Sequence, residues 1–389
     1  MKKIGTLICL VPLLSVAMAG LMEGHGENHH FYSEEQKTAS RLADEQEISA
    51  LQQTVRLDPS NADAHYRLGM LYAKHTQWKQ SAQAFKGTIN ADPNRIEAYY
   101  QLGEVYMGGM GRTLDAIPVL QSAIRIDPNH ADVRRLLGTA YLHRGRVDKA
   151  APELQRAVKL NPSDTEAHNT LGLVYIRIGD LKEAKAHLEI AIQQDPLYAK
   201  AYFNLGTVYR RMGRMKESKK ALQVFEKLNR DEKQIEILNR LLRLHPTNAR
   251  GWHQLGGLLM ERWQWQPATA AFEKYISLKP QDKKCHETLG YLYIQLEAPE
   301  KAVESYTLLV THYPEVAAYQ NHLGVAYAML EKYRQAIEAF QTAIQLNSTE
   351  PNFHLNLSKA YQRVGNSAKA KEAHRRYQQL TTQAEGTQE

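Results

Sequence analysis

Disulfide bonding inside the chain is excluded by scarcity. The 389 residues include two cysteines, Cys9 and Cys285. Cys9 lies in an N-terminal apolar run expected to be removed, which leaves Cys285 without an internal partner; an oxidising compartment is permitted but not exploited. Long apolar runs are equally scarce: outside residues 4–19 none approaches the roughly 20 residues a membrane-spanning helix needs. Catalytic signatures are missing too. Gly108-Gly109-Met110-Gly111 lacks the preceding strand and the following Lys-Ser/Thr of a phosphate loop, and reads as a lengthened turn. His286-Glu287 is followed by Gly290 where a zinc-protease helix carries its second histidine. No Cys–His–Asp arrangement is visible around Cys285. The sequence therefore predicts no enzyme, no cofactor and no catalytic or metal residue.

What is present begins with Lys2 and Lys3, an apolar run from Ile4 to Ala19 and the ending Ala17-Met18-Ala19. Basic, apolar, then small-x-small is the order of a secretory signal, expected to be cleaved before Gly20. The rival reading, a retained anchor, needs a longer run. Cleavage removes two lysines and no acid, so the formal charge of +7 falls to +5 and the exported chain, periplasmic or secreted, stays moderately basic. Residues 20–40 are polar and hold His25, His29 and His30, which suggests a flexible tail; metal binding there is the alternative. Residues 381–389 read as a second, disordered tail.

Between the tails one unit recurs. In its fullest form, residues 164–196, it runs Asp164 to His168, Leu171-Gly172, Tyr175, Gly179-Asp180, Ala184, Leu188, Ala191 and Pro196. Ala167, Leu171, Val174, Tyr175 and Ile178 share one helical face. Gly179 suits a left-handed helix end, Asp180 with Glu183 has capping-box spacing, and Pro196 stops the second helix. Gly172, Ala184 and Ala191 let the two helices approach, and Leu171, Tyr175 and Leu188 fill the space between. The unit is a helical hairpin. The leading leucines fall at 68, 102, 137, 171, 205, 255, 289, 323 and 357, every step 34 or 35 except the fifty from Leu205 to Leu255. A starting cap helix is expected over residues 40–58. In the long step, residues 216–229 are expected to form one helix, Arg230-Asp231 a break with Asp231 as N-cap, and Ile235, Leu238, Leu241 and Leu242 the apolar face of another. That segment, 212–247, divides an array over 41–211 from one over 248–380. A local irregularity in a continuous array is the favoured reading, a hinge the alternative.

Leu-Gly, Tyr, Ala, a bulky residue, Ala and Pro at these spacings resemble the 34-residue tetratricopeptide repeat, TPR. The resemblance implies an all-α, right-handed superhelical solenoid whose inner wall, lined by first helices, holds a peptide or partner helix. It carries no chemistry by itself. Wall positions would fall two residues before and one after each Leu-Gly pair, and again three or four residues on. They give Tyr66, Tyr100, Arg135, His143, Asn169, Arg177, Lys200, Phe203, Arg210 and Arg211, joined by Arg250 beyond the long step. This basic strip suits an acidic peptide or a free C-terminal carboxylate. The carboxylate-gripping Lys and Asn pattern of the family's chaperone-binding members is not reproduced, nor is the asparagine ladder of its sugar-transferase members. Nucleic acid, the other ligand of a basic groove, is not expected for an exported chain of modest charge. The functional expectation is a non-catalytic protein-interaction scaffold. The alternatives are a subunit assisting an enzyme or metal-handling complex in the cell envelope, and an unrecognised enzyme.

Overall fold

The computed structural model describes residues 34–385, with side chains described between residues 40 and 383. The expected signal, the His25, His29 and His30 cluster and the last four residues lie outside that range. The described residues divide into two compact units, residues 34–232 and 233–385, and the division falls inside a helix. Among the described residues every regular element is helical. In the first unit these are α1 (Glu34–Leu57), α2 (Ala62–Lys74), α3 (Trp78–Ala91), α4 (Ile96–Glu104), α5 (Thr113–Ile126), α6 (Ala131–His143), α7 (Val147–Leu160), α8 (Thr165–Ile178), α9 (Leu181–Gln194) and α10 (Ala199–Arg211). The helix α11 (Met215–Leu244) crosses the division. The second unit continues with α12 (Ala249–Glu261), α13 (Trp265–Leu278), α14 (Lys283–Gln295), α15 (Pro299–His312), α16 (Ala317–Met329), α17 (Tyr333–Leu346), α18 (Pro351–Arg363) and α19 (Ser367–Glu385). Two boundaries differ from expectation. Helix α1 takes in residues 34–40 of the expected tail, and α19 runs through 381–385 with Leu380 buried.

Each hairpin closes for the reasons its sequence states. Gly172 sits where a Cβ would lie 2.8 Å from Leu188 Cγ, so the missing side chain sets the distance between α8 and α9. Gly179 is left-handed at φ +95°, and the Asp180 carboxylate accepts the Glu183 N–H at 3.1 Å. Successive hairpins are tied by a recurring bond between a second helix and the tyrosine twenty residues on. Gln52 to Tyr72, Gln121 to Tyr141, Gln155 to Tyr175 and Gln341 to Tyr361 are amide donors to a phenol oxygen at 2.8 to 3.0 Å. Tyr209 and Tyr293 instead donate to Glu189 and Glu273. A second recurrence involves the residue three positions before the leading leucine. Trp252 Nε1 donates to the Pro246 carbonyl at 2.8 Å, and His286 Nε2 lies 2.8 Å from the Pro280 carbonyl. The histidine and the tryptophan thus fasten the start of a first helix to the turn before it.

Two local readings are corrected. The extra residue of the second repeat is not in the turn alone: residues Val105–Gly109 form a π-helical turn that widens the end of α4 before left-handed Gly111. The expected break at Arg230-Asp231 is absent. No glycine or proline interrupts residues 215–244, good helix formers fill them, and Asp231 is buried with its carboxylate 3.7 Å from Lys227 one turn earlier. The extra length of the fifty-residue step is therefore carried by one long helix. Its first part packs on α10, where a Cβ on Gly206 would meet Leu222 at 2.9 Å. In the second unit, Leu238 and Leu242 are buried in a core with Trp252, Leu255 and Cys285, as the apolar spacing predicts.

Candidate functional site: the first-helix wall

First helices of successive hairpins lie side by side in the 34–232 unit, and side chains bridge them at 35-residue intervals. Arg135 Nη2 donates to Tyr100 Oη at 3.2 Å. Asn204 Nδ2 donates to Asn169 Oδ1 at 2.8 Å. Arg177 Nη1 donates to the Leu142 carbonyl at 3.1 Å and Arg211 Nη1 to the Ile176 carbonyl at 2.5 Å. The last two bonds neutralise carbonyls at the C-terminal ends of the neighbouring first helices, where a cation also meets the negative end of the helix dipole. Arg177 and Arg211 thus each give one guanidinium N–H to stacking, while both residues stay exposed.

The strip is also less basic than its arginines suggest. Arg135 is held by Asp164 at 3.3 Å and Glu166 at 2.6 Å, with its side chain only 12% exposed. Around it stand Glu104 and Asp132 as well. Burial pushes the Glu104 carboxyl above its ordinary range, and Glu166 and Asp132 add to the rise against the pull of Arg135. Burial, helped by Glu104, pushes the Tyr100 phenol up to about 12. The acids were missed although their signal was regular. Asp63, Glu97, Asp132 and Glu166 all stand five residues before their leading leucine, in the first turn of a first helix. That turn favours a carboxylate, so the same residues also support the helices.

The remaining expected residues fall into three groups. Tyr66 is covered by the Arg95 guanidinium at 4.3 Å and meets Phe85 edge-on at 5.6 Å. His143 and Arg210 are exposed, with no ion pair among the described residues. Asn169, Lys200 and Phe203 come together with Leu173, Asn204 and Phe225 around a cavity of about 270 Å³. Leu173 stands at the wall position directly after Leu171-Gly172, and Phe225 was not foreseen. Arg250 belongs to the other unit.

Cys285 is 1% exposed, its sulfur 3.7 Å from the Phe272 carbonyl, and burial pushes the thiol up to about 12, so no thiolate forms at neutral pH. Among the described residues there is no cluster of three metal-ligating side chains, and no helix is long and apolar enough to cross a membrane.

Stacked helical hairpins whose first helices share one wall define an α-repeat binding protein. Family models described as tetratricopeptide repeat match residues 48–96, 109–174 and 200–231, and one described as TPR repeat matches 172–213 and 324–365. Together they span more than half of the sequence, and the chain belongs to the tetratricopeptide-repeat family. Solved structures similar to it include MamA, at 27% identity over 44% of this chain and 93% of that one, TM-score 0.40. Others are residues 41 to the end of MamA from Desulfovibrio magneticus RS-1 (22% identity, 44% and 96% covered, TM-score 0.41) and YrrB, titled a TPR protein with an unusual peptide-binding site (24%, 51% and 98%, TM-score 0.41). A search of curated proteins gave no match.

Proposed function

We propose that the chain is a non-catalytic scaffold that binds an extended segment of a partner protein along the first-helix wall of its 34–232 unit. The observation that carries this reading is the convergence of Asn169, Lys200 and Phe203 on one cavity of that wall. Aromatic residues and amides at a fixed 34- or 35-residue interval offer contact area and hydrogen bonds in register along a strand-like ligand. The acidic ligand inferred from the strip is kept at its far end, where Lys200 and Arg210 have no ion pair among the described residues, and the acids around Arg135 favour cationic or neutral residues at the other end. To test the reading, peptides would be selected from a random library on the purified protein. They would then be photo-crosslinked from benzoylphenylalanine placed at Tyr66, Thr139 or Thr207 on the wall, or at Ala186 and Gln193 on a second helix. Crosslinks from the wall positions alone are expected. Equal crosslinking from both sets, or no selectable peptide, removes the wall.

The scaffold is further proposed to act outside the cytoplasm, on the strength of Lys2, Lys3, the apolar run and Ala17-Met18-Ala19. Mass spectrometry of the N-terminal peptide from envelope or medium is expected to give Gly20 as first residue. Recovery of the chain with residues 1–19 attached, and only from the cytoplasm, refutes export.

A further inference from the structure

The cavity at the end of the wall is built from three helices: Asn169 and Leu173 on α8, Lys200, Phe203 and Asn204 on α10, and Phe225 on α11. Its apolar part is a pair of phenylalanines. The Phe203 and Phe225 rings are 5.1 Å apart and tilted by 49°, yet Phe203 remains 48% exposed. A large aromatic face left half open beside a cavity loses the burial its neighbours obtain.

The polar part is more particular. Asn169 and Asn204 are 4% and 8% exposed, and among the described residues each has one side-chain hydrogen bond, the 2.8 Å bond between them. A carboxamide has two donor hydrogens and an acceptor oxygen, so that bond leaves the Asn169 amino group and the Asn204 carbonyl oxygen to the cavity. A ligand that offers both a donor and an acceptor here satisfies the two groups together, and one that covers them without doing so is disfavoured. A free N–H beside a free C=O is the bonding pattern of a peptide main chain, and it is satisfied by another. Lys200, at the rim, is exposed and has no ion pair among the described residues; its ammonium lies 6.0 Å from the Tyr198 ring. Phe203, Thr207 and Arg210 follow at intervals of four and three, so a second uncommitted cation continues the same helix face.

We propose that this cavity is the specificity subsite of the wall, for an extended partner segment carrying a bulky apolar residue next to an acidic one. The apolar side chain packs on the open face of Phe203, which Phe225 backs, the main chain bonds the Asn169 and Asn204 amides, and the neighbouring carboxylate pairs with Lys200. The assignment rests on the reading of the wall as a peptide-binding surface and makes it particular.

Three fluorescein-labelled peptides test it by anisotropy on the mature chain. They are identical Gly-Ser segments with a central Phe-Glu, Phe-Lys or Gly-Glu. Phe-Glu is expected to bind at least about tenfold more tightly than the others, and Phe203→Ala to remove that advantage. Lys200→Glu, at an exposed position, should invert the preference between Phe-Glu and Phe-Lys with the melting temperature unchanged, which separates recognition from folding. Equal binding of all three peptides, or a Phe-Glu affinity indifferent to both substitutions, overturns the subsite. If library-selected peptides still crosslink to the wall in that case, the scaffold stands and the subsite alone falls. If none does, both fall.

Discussion

Phe85→Ala should unfold the first complete hairpin of the 34–232 unit, at a cost of about 3–5 kcal/mol. Phe85 is 0% exposed, and its ring occupies the space left open by Gly69, where an added Cβ would lie 2.5 Å from ring carbon Cε1. Tyr66 covers the ring from another side. That arrangement also fixes the sign of a second substitution. In the native background Gly69→Ala drives a methyl group into the ring, an overpacking cost of about 1–3 kcal/mol that exceeds the roughly 1 kcal/mol alanine gains in a helix. Where Phe85 is already alanine the clash is gone and the helix preference remains, so Gly69→Ala should then stabilise. Hydrogen exchange of the amides of α2 and α3 in the full chain gives the local free energy of each variant. A Gly69→Ala effect of the same sign in both backgrounds contradicts the packing account.

The same pair shows why the hairpins were legible. A small residue and a bulky one sixteen positions later must meet if two helices of ordinary length fold back on each other, and both lie within one unit of sequence. Helix ends were legible for a similar reason, since the Asp180 cap and the left-handed Gly179 are decided by neighbours within four residues. What escaped was the choice of partner. Arg177 and Arg211 occupy equivalent wall stations, six residues after their leading leucines, and Arg135 another, two before its own; spacing alone presents all three as one basic strip. Each has a partner about a whole repeat away: Glu166 for Arg135, the Leu142 carbonyl for Arg177, the Ile176 carbonyl for Arg211. A backbone acceptor has no signature in sequence. The carboxylates did have one, their constant place five residues before the leading leucine. The break assigned to Arg230-Asp231 failed differently. Aspartate has the chemistry of an N-cap, but with helix formers on both sides and Lys227 one turn back, the helix continues through it. The Asn169–Asn204 pair, at the heart of the proposed subsite, needed both the 35-residue interval and the burial that only the folded chain displays.

Mild acid should weaken the 233–389 unit through His322. This histidine is partly buried on α16, its ring 5.1 Å from the Tyr306 ring, and burial pushes its pKa down to about 4. The unfolded chain holds an ordinary histidine near 6.5, so between those values it binds a proton that the folded unit refuses. The contribution is fully present above about pH 6.5 and declines as pH falls. The loss reaches about 2 kcal/mol at pH 5 and at most about 3 kcal/mol near pH 4. Carboxylates titrate over part of the same range, so the test is a comparison. His322→Phe keeps a ring against Tyr306 and removes the proton, and its stability should decline less than the native chain's between pH 7 and 5, read by hydrogen exchange in α15 and α16. Parallel declines would show that His322 accepts its proton as freely folded as unfolded. The 34–232 unit has its own acid-sensitive point. His168 Nε2 lies 3.1 Å from the Pro162 carbonyl and donates to it, so Nδ1 is left to accept the His187 Nδ1 proton across 3.0 Å. A proton on His168 Nδ1 destroys that bond, and burial already lowers the pKa of both rings. The sign is again a loss as pH falls below 6.5. His168 precedes Asn169, so in a neutral compartment the proposed subsite rests on an intact histidine pair, and acid reaches it through the helix that supplies its first amide.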